Sequence, residues 1–368
     1  MHLKQIQVLN FKSWSEAQFD FSPKLNCFVG LNGGGKTNLL DAIHYLCLSK
    51  SYFGNRDSRN IKQGNEFFMV EGDFERRGEA EKLSCSLKKG GKKVLKRNKK
   101  EYEKLSEHIG LFPAVVISPY DRDLITDSSE IRRRFLDNVI SQGNTEYLFH
   151  IMRYNKAVQQ RNSLLKFFAA NHQFDAEALD LYDQQLIEHG TYVAEKRADF
   201  CEQLKPRIQY YYEFISGGRE AADIEYKSQF IDKDPAQGLK ENLEKDRILQ
   251  YSSWGVHRDD LKFRLDSRGV RDYGSQGQQK SYLIALKLAQ YEFIRDRQDL
   301  VPILLLDDIF DKLDEDRVAK LVKLVHDEEF GQIFITDTHI DRTGELVKQI
   351  DPDARIINVN EVGGSESV

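Results

Sequence analysis

Near the start of the chain, Gly30-Leu31-Asn32-Gly33-Gly34-Gly35-Lys36-Thr37 sets four glycines, a lysine and a hydroxyl in the order G-x-x-x-x-G-K-T. Glycines at this spacing let the backbone wrap an anion and aim successive N–H groups at it. Lys36 is placed to reach the β- and γ-phosphates of a nucleotide, and the Thr37 hydroxyl to ligate Mg²⁺. Asn38 follows directly and completes the candidate nucleotide-binding set. Near the other end of the chain, Leu304-Leu305-Leu306 runs into Asp307-Asp308. A buried strand that ends in two carboxylates supplies the second half of such a site. Asp307 is placed to hold the metal, and Asp308 to polarise an attacking water as general base. An acidic strand-to-helix turn alone would be unremarkable; beside a phosphate loop the two segments support each other.

The elements that must position these residues are legible around them. Leu25-Asn26-Cys27-Phe28-Val29 reads as a buried strand, and Asn38 to Leu46 repeats its apolar positions at helical spacing. Strand, glycine loop and helix in that order are the context a phosphate loop requires, with the helix dipole adding its positive end. Val301 to Leu306 is the most apolar run of the chain, and Gln332 to Thr336 reads as a further central strand. Between the two halves, Tyr273-Gly274-Ser275-Gln276-Gly277-Gln278-Gln279-Lys280 opens a helix. Ser275, Gln276 and Gly277 read as a second anion site, useful if a second copy of the chain supplies the nucleotide. The plainer reading of Ser275 is an ordinary helix N-cap.

The rest of the chain alternates between sheet and helix. Residues 2–29, 67–74, 83–87 and 114–117 read as strands, and Gly90-Gly91 as a tight hairpin turn. From Glu130 to Ile215 glycine is scarce and apolar residues recur at three and four, which predicts three or four antiparallel helices. Breaks fall at Gln142-Gly143-Asn144 and Ala170-Asn171-His172. Strand character returns at 223–226, 261–265 and 354–359, and residues 363–368 are expected to be disordered. The expected class is α/β, an ATPase domain with a mixed sheet and an inserted helical lobe. Its expected divisions are 1–120 (first half of the ATPase head), 121–250 (helical lobe) and 251–368 (second half).

Composition narrows the setting. The chain of 368 residues is 40% hydrophobic and carries a net charge of −5, with no apolar run approaching a membrane span. Its four cysteines are scattered without a C-x-x-C pair, the pattern of small buried residues in a reducing, cytoplasmic compartment. Against the acidic average, Lys88 to Lys104 holds nine basic residues and two acids. Lys92, Lys93, Lys96 and Arg97 within it are the candidate DNA contacts, the alternative being a solvated hairpin. Arg132-Arg133-Arg134 is read as either a DNA contact or a tie between the helical lobe and acidic neighbours.

In combination, Gly30 to Asn38, Arg132-Arg133-Arg134-Phe135-Leu136-Asp137, Gly255-Val256-His257-Arg258-Asp259-Asp260-Leu261, Ser275 to Lys280 and Leu304 to Asp308 resemble the RecF family. Val8-Leu9-Asn10-Phe11-Lys12 fits its first strand. The family is built like the ATPase head of an SMC protein without the long coiled coil. The resemblance implies an ABC-type site using ATP and Mg²⁺, an ATP-dependent homodimer, slow ATP hydrolysis, and binding to single- or double-stranded, gapped DNA. It further implies work with RecR and RecO in loading RecA at gaps, replication restart and a role in the SOS response. A switch histidine would be His339 or absent. The rival readings are a transporter-energising subunit or a chromosome-organising head, with nuclease chemistry not expected and no membrane partner.

Overall fold

The computed structural model describes residues 1–308, 330–338, 347–349 and 351–360, apart from 55 and 219. The tail 363–368 lies outside the described residues. The chain divides into two compact units, Met1–Asp121 with Gln290–Val368, and Arg122–Ala289.

In the first unit, β1 (His2–Phe11) and β2 (Trp14–Asp20) form a hairpin, and β3 (Leu25–Val29) leads through the glycine loop into α1 (Lys36–Leu48). A meander follows, β4 (Phe67–Arg76), β5 (Glu79–Lys88), β6 (Lys93–Arg97) and β7 (Lys100–Glu101), and then β8 (Ala114–Ile117). The antiparallel sheet has the order β2-β1-β4-β5-β6-β7. Its period-two pattern buries Leu3, Ile6, Val8, Phe68, Val70, Phe74, Leu83, Cys85 and Leu87 in one core with the apolar residues of α1. All four cysteines are buried and unpaired. Burial pushes the Cys27 and Cys85 thiols up to about 12, so both behave as small core residues.

The second unit opens with α2 (Asp123–Thr126), α3 (Ser129–Gly143), α4 (Thr145–Asn171) and α5 (Ala176–Ser216). The helix breaks fall where the sequence placed them. Asn144 caps α4 by accepting a bond from the Tyr147 amide, and His172 ends α4 in the left-handed conformation at φ 50°. Then come β9 (Ala222–Lys227), α6 (Gln229–Asp232), α7 (Pro235–Leu249), β10 (Asp260–Leu265), β11 (Arg268–Gly269), α8 (Val270–Tyr273) and α9 (Gln276–Gln298). Residues 251–289 therefore group with the helices, whereas the sequence reading placed them with the ATPase head. The reason is long-range pairing. β10 runs antiparallel to β9 from Asp260↔Lys227 to Leu265↔Ala222, and buried Tyr282 packs its ring near Tyr212 and Phe263.

Buried ion pairs hold this unit together. Arg197, 1% exposed, donates to Asp137 at 2.8 Å, Asp259 at 3.0 Å and the Val256 carbonyl at 2.8 Å. Arg132 donates to Asp260 at 2.7 Å, and Arg133 to the Asp259 carbonyl at 2.8 Å. The arginine triplet thus ties α3 to the His257–Asp260 segment, and only Arg134 is solvent-facing, paired with Glu130 one turn away.

Back in the first unit, β12 (Ile303–Asp307), β13 (Ile333–Asp337) and β14 (Arg355–Asn358) join the remaining strands in an all-parallel sheet of order β14-β3-β13-β12-β8. Parallel and antiparallel strands are both present, as expected, but segregated into separate sheets. Every residue of β3, β8, β12 and β13 is buried, which is why their sequences read as unbroken apolar runs. No helix among the described residues is long and apolar enough to cross a membrane.

Candidate nucleotide site

The phosphate loop begins where β3 gives way to Gly30, whose backbone takes φ +152°. A Cβ there would lie 2.8 Å from Val359 Cγ2, so only glycine fits. Gly35 caps α1 at φ +92°, and a Cβ on it would meet the Trp14 ring at 2.9 Å. Trp14 Nε1 donates to the Gly35 carbonyl at 3.2 Å, and Asn38 Nδ2 to Ser13 Oγ at 2.8 Å. The β1–β2 turn therefore braces both the loop and the first turn of α1. Leu31 projects from the loop, 73% exposed.

Lys36 is 7% exposed and lies across the loop, donating to the carbonyls of Gly30 at 2.8 Å and Leu31 at 2.9 Å. Burial lowers its ammonium pKa, and the acids Asp308, Asp307 and Asp337 oppose that shift. Asp307, 2% exposed, ends β12. Its Oδ1 accepts from Thr37 Oγ1 at 2.9 Å and from Thr336 Oγ1 at 2.9 Å, and its Oδ2 faces Ser118 Oγ at 3.4 Å. Burial raises the Asp307 carboxyl, the three hydroxyls pull it back down, and Asp308 pushes it up. Asp308 follows at φ +50°, and its amide donates to Thr336 Oγ1 at 2.9 Å. Thr336 thus touches both carboxylate-bearing residues.

The register explains the convergence. Parallel pairing sets Asp307 against Thr336 and Leu306 against Ile117, so Ser118, Thr336 and Asp307 emerge together at the carboxyl ends of their strands. Asp121 holds the turn after β8 by accepting from the Ser118 amide at 2.8 Å and from the Tyr52 hydroxyl. Behind α1, buried Asp41 pairs with Lys12 at 2.5 Å and accepts from Ser51 Oγ at 2.6 Å and the Tyr52 amide at 2.7 Å. Sequence reading missed Ser13, Trp14, Ser118 and the role of Thr336. None belongs to a motif, and each becomes visible only through strand order.

Among the described residues no group of three or more His, Cys, Asp or Glu side chains is arranged to hold a metal. A hydroxyl and one carboxylate at 2.9 Å nonetheless match the sparse protein ligation that Mg²⁺ takes when phosphates complete its shell.

The remaining sequence candidates are placed as follows. Ser275 belongs to the second unit and caps α9 in a reciprocal pair with Gln278: the Ser275 amide donates to Gln278 Oε1 at 2.7 Å, and the Gln278 amide to Ser275 Oγ at 3.3 Å. Gln276 and Gly277 are exposed at that helix start. In the basic hairpin, Lys92 and Lys96 are exposed, but Lys93 and Arg97 are not the surface cations expected. Lys93 donates to Asp57 at 2.8 Å and lies 5.3 Å from the Tyr45 ring centre; Arg97 pairs with buried Glu81. Strand alternation turns those two inward. His339 lies outside the described residues.

The model of the RecF/RecN/SMC N-terminal domain matches residues 2–351. The DNA replication and repair protein RecF of Flavobacterium johnsoniae is 52% identical over 98% of this chain and all of its own length. The chain belongs to the RecF family. The RecF protein of Phocaeicola vulgatus is 46% identical over 98% of this chain and 97% of its own. Among solved structures, the recombination mediator RecF-ATP of the RecFOR pathway superposes with a TM-score of 0.86 at 32% identity, covering 92% of each chain. An SMC head bound to the C-terminal winged-helix domain of ScpA shares the fold, with a TM-score of 0.56 at 13% identity over 97% of this chain and 94% of its own. The chain thus has the ATPase-head fold of SMC proteins with the helices of Arg122–Ala289 inserted, in agreement with the fold read from the sequence.

Proposed function

We propose that this chain binds and slowly hydrolyses ATP with Mg²⁺, and that ATP closes two copies on DNA during gap repair. The observation that carries the reading is Thr37 and Asp307 joined at 2.9 Å beside a buried lysine at the mouth of a glycine loop. In this reading the loop amides and Lys36 hold the β- and γ-phosphates, and α1 directs its positive end at them. Magnesium bound by Thr37 and Asp307 would neutralise phosphate charge. Thr336 and Ser118 orient the Asp307 carboxylate. Asp308, at the strand end with its backbone fixed by Thr336, takes the proton of the attacking water.

Ser275, Gln276 and Gly277 would meet the γ-phosphate held by a second copy. Their exposed position at a helix N-terminus supports that role, and the Gln278 partnership pre-orders it. The head is assigned to 1–121 with 290–368, and the helical lobe to 122–289. Family membership supports DNA as ligand, RecR and RecO as partners, RecA loading at single-stranded gaps, replication restart, SOS induction and a cytoplasmic setting.

Light scattering tests the mechanism. Lys36→Arg and Asp307→Asn should abolish ATP-dependent dimerisation, and Asp308→Asn should hold an ATP-bound dimer with little turnover. Normal ATP-dependent dimers in the first two variants, or undiminished hydrolysis in the third, would overturn it.

A further inference from the structure

The exposed face of α4 carries a row that neither the nucleotide site nor the basic hairpin uses. Phe149, Arg153, Lys156, Gln160, Ser163 and Phe167 recur at alternating steps of four and three, and all six are exposed. At 100° per residue the two phenylalanines share one azimuth five turns apart, so the row is a straight ridge about 27 Å long. Phe149 is 51% exposed and Phe167 55%. The Arg153 guanidinium lies 5.3 Å from the Phe149 ring centre. Arg153, Lys156 and Lys166 make no ion pair with any described residue, whereas Arg132, Arg161 and Arg197 of this unit are committed to carboxylates. The ridge itself holds no acid. Glu146, one turn before it, accepts a bond from Tyr192 at 2.8 Å.

Aromatic rings interleaved with cations along one exposed line are the make-up of a single-strand stacking surface. Unopposed cations between them call for an anionic polymer, and flat rings call for exposed base faces. Duplex DNA offers phosphates but keeps its bases stacked; single strands offer both. The geometry points to this ridge as a binding surface for single-stranded DNA, with Phe149 and Phe167 stacking on unpaired bases and Arg153 and Lys156 contacting phosphates between them. Gln160 is the neutral donor to the same backbone; the Ser163 hydroxyl donates to the Gln159 carbonyl at 3.0 Å. The inference rests on the DNA-binding reading above and adds where, and to which form of DNA, this unit binds.

Anisotropy of a labelled oligothymidylate and of a blunt duplex, with ATP present, tests it. Phe149→Ala with Phe167→Ala should weaken oligothymidylate binding about tenfold or more and leave the duplex unchanged. Phe149→Leu with Phe167→Leu keeps apolar bulk without a ring and should lose as much. Arg153→Gln with Lys156→Gln should weaken binding and reduce its salt slope by about 1.4. All six side chains are exposed, so thermal melting should be unaltered. Wild-type-like oligothymidylate binding in the alanine pair, or full binding by the leucine pair, overturns the ridge. If the wild-type chain binds neither DNA, the DNA-binding reading falls and the ridge with it.

Discussion

Thr336 is the residue on which the acidic half of the site turns. Its hydroxyl gives its one proton to Asp307 Oδ1 and receives the Asp308 amide, so a single side chain fixes the carboxylate proposed to hold the metal and the backbone of the proposed base. Thr336→Val keeps the shape and removes both bonds. The Asp308 amide then loses its partner and buried Asp307 loses one of its donors, which raises its carboxyl further. An unmade bond of this kind costs about 1–3 kcal/mol. Thr336 spends its two bonds on Asp307 and Asp308 and none on the glycine loop, so the loss should appear in kcat, about ten- to a hundredfold, with KM for ATP nearly unchanged. Steady-state hydrolysis with a parallel nucleotide-binding titration checks this; a rise in KM at constant kcat would show that Thr336 acts on binding instead. Ser118, at 3.4 Å from the same carboxylate, should matter less.

At the scale of elements, β6 shows how a charge run misleads. Lys92, Lys93, Lys96 and Arg97 are indistinguishable as composition, yet the strand sends Lys93 to the Asp57 and Tyr45 side and leaves Lys96 opposite Ser84 and Glu101. Lys93→Met should therefore cost about 1 kcal/mol or less of stability, since the half-exposed Asp57 keeps the Tyr45 hydroxyl at 2.7 Å, with DNA affinity retained. Lys92→Glu with Lys96→Glu should do the reverse, weakening DNA binding and lowering its salt slope by roughly two while melting stays put. Equal losses of DNA affinity from both sets would return Lys93 to the surface role. The same physics decides what could be read in advance. The phosphate loop and β12 were legible because glycine spacing and two-sided burial leave local marks. Ser118, Thr336 and Trp14 were not, because they approach the site through the strand order β3-β13-β12-β8 and the β1–β2 turn. The grouping of 251–289 with the helices was hidden for a like reason: it depends on β9–β10 pairing across more than thirty residues.

For the molecule as a whole, acid should act unevenly on its two units. His108 in the first unit is fully buried, with Nε2 bonded to the Leu46 carbonyl at 2.7 Å and its ring stacked on Phe112. Burial lowers it to about 4. His257 in the second unit, held between Tyr154 and the Ser252 carbonyl, is likewise lowered to about 4. An unfolded histidine titrates near 6.5, so between pH 6.5 and 4 the unfolded chain binds protons that the native chain refuses. Stability from each histidine is whole above 6.5 and falls with pH, by about 2 kcal/mol at pH 5. Asp259 has the opposite sign. Burial, against the pull of Arg197, raises its carboxyl to about 6, so its burden on the second unit is greatest above pH 6 and eases as pH falls toward 4. That gain, about 1 kcal/mol between pH 7 and 5, offsets part of the His257 loss. The surroundings of His108 should therefore lose more amide protection than those of His257 and Asp259 when pH drops from 7 to 5, as read by hydrogen exchange resolved along the chain. His108→Gln keeps a donor for Leu46 without a titrating ring, and should flatten the response of residues 1–121 while leaving 122–289 as in the wild type. An unchanged acid response in the first unit of that variant would rule out His108 as its source.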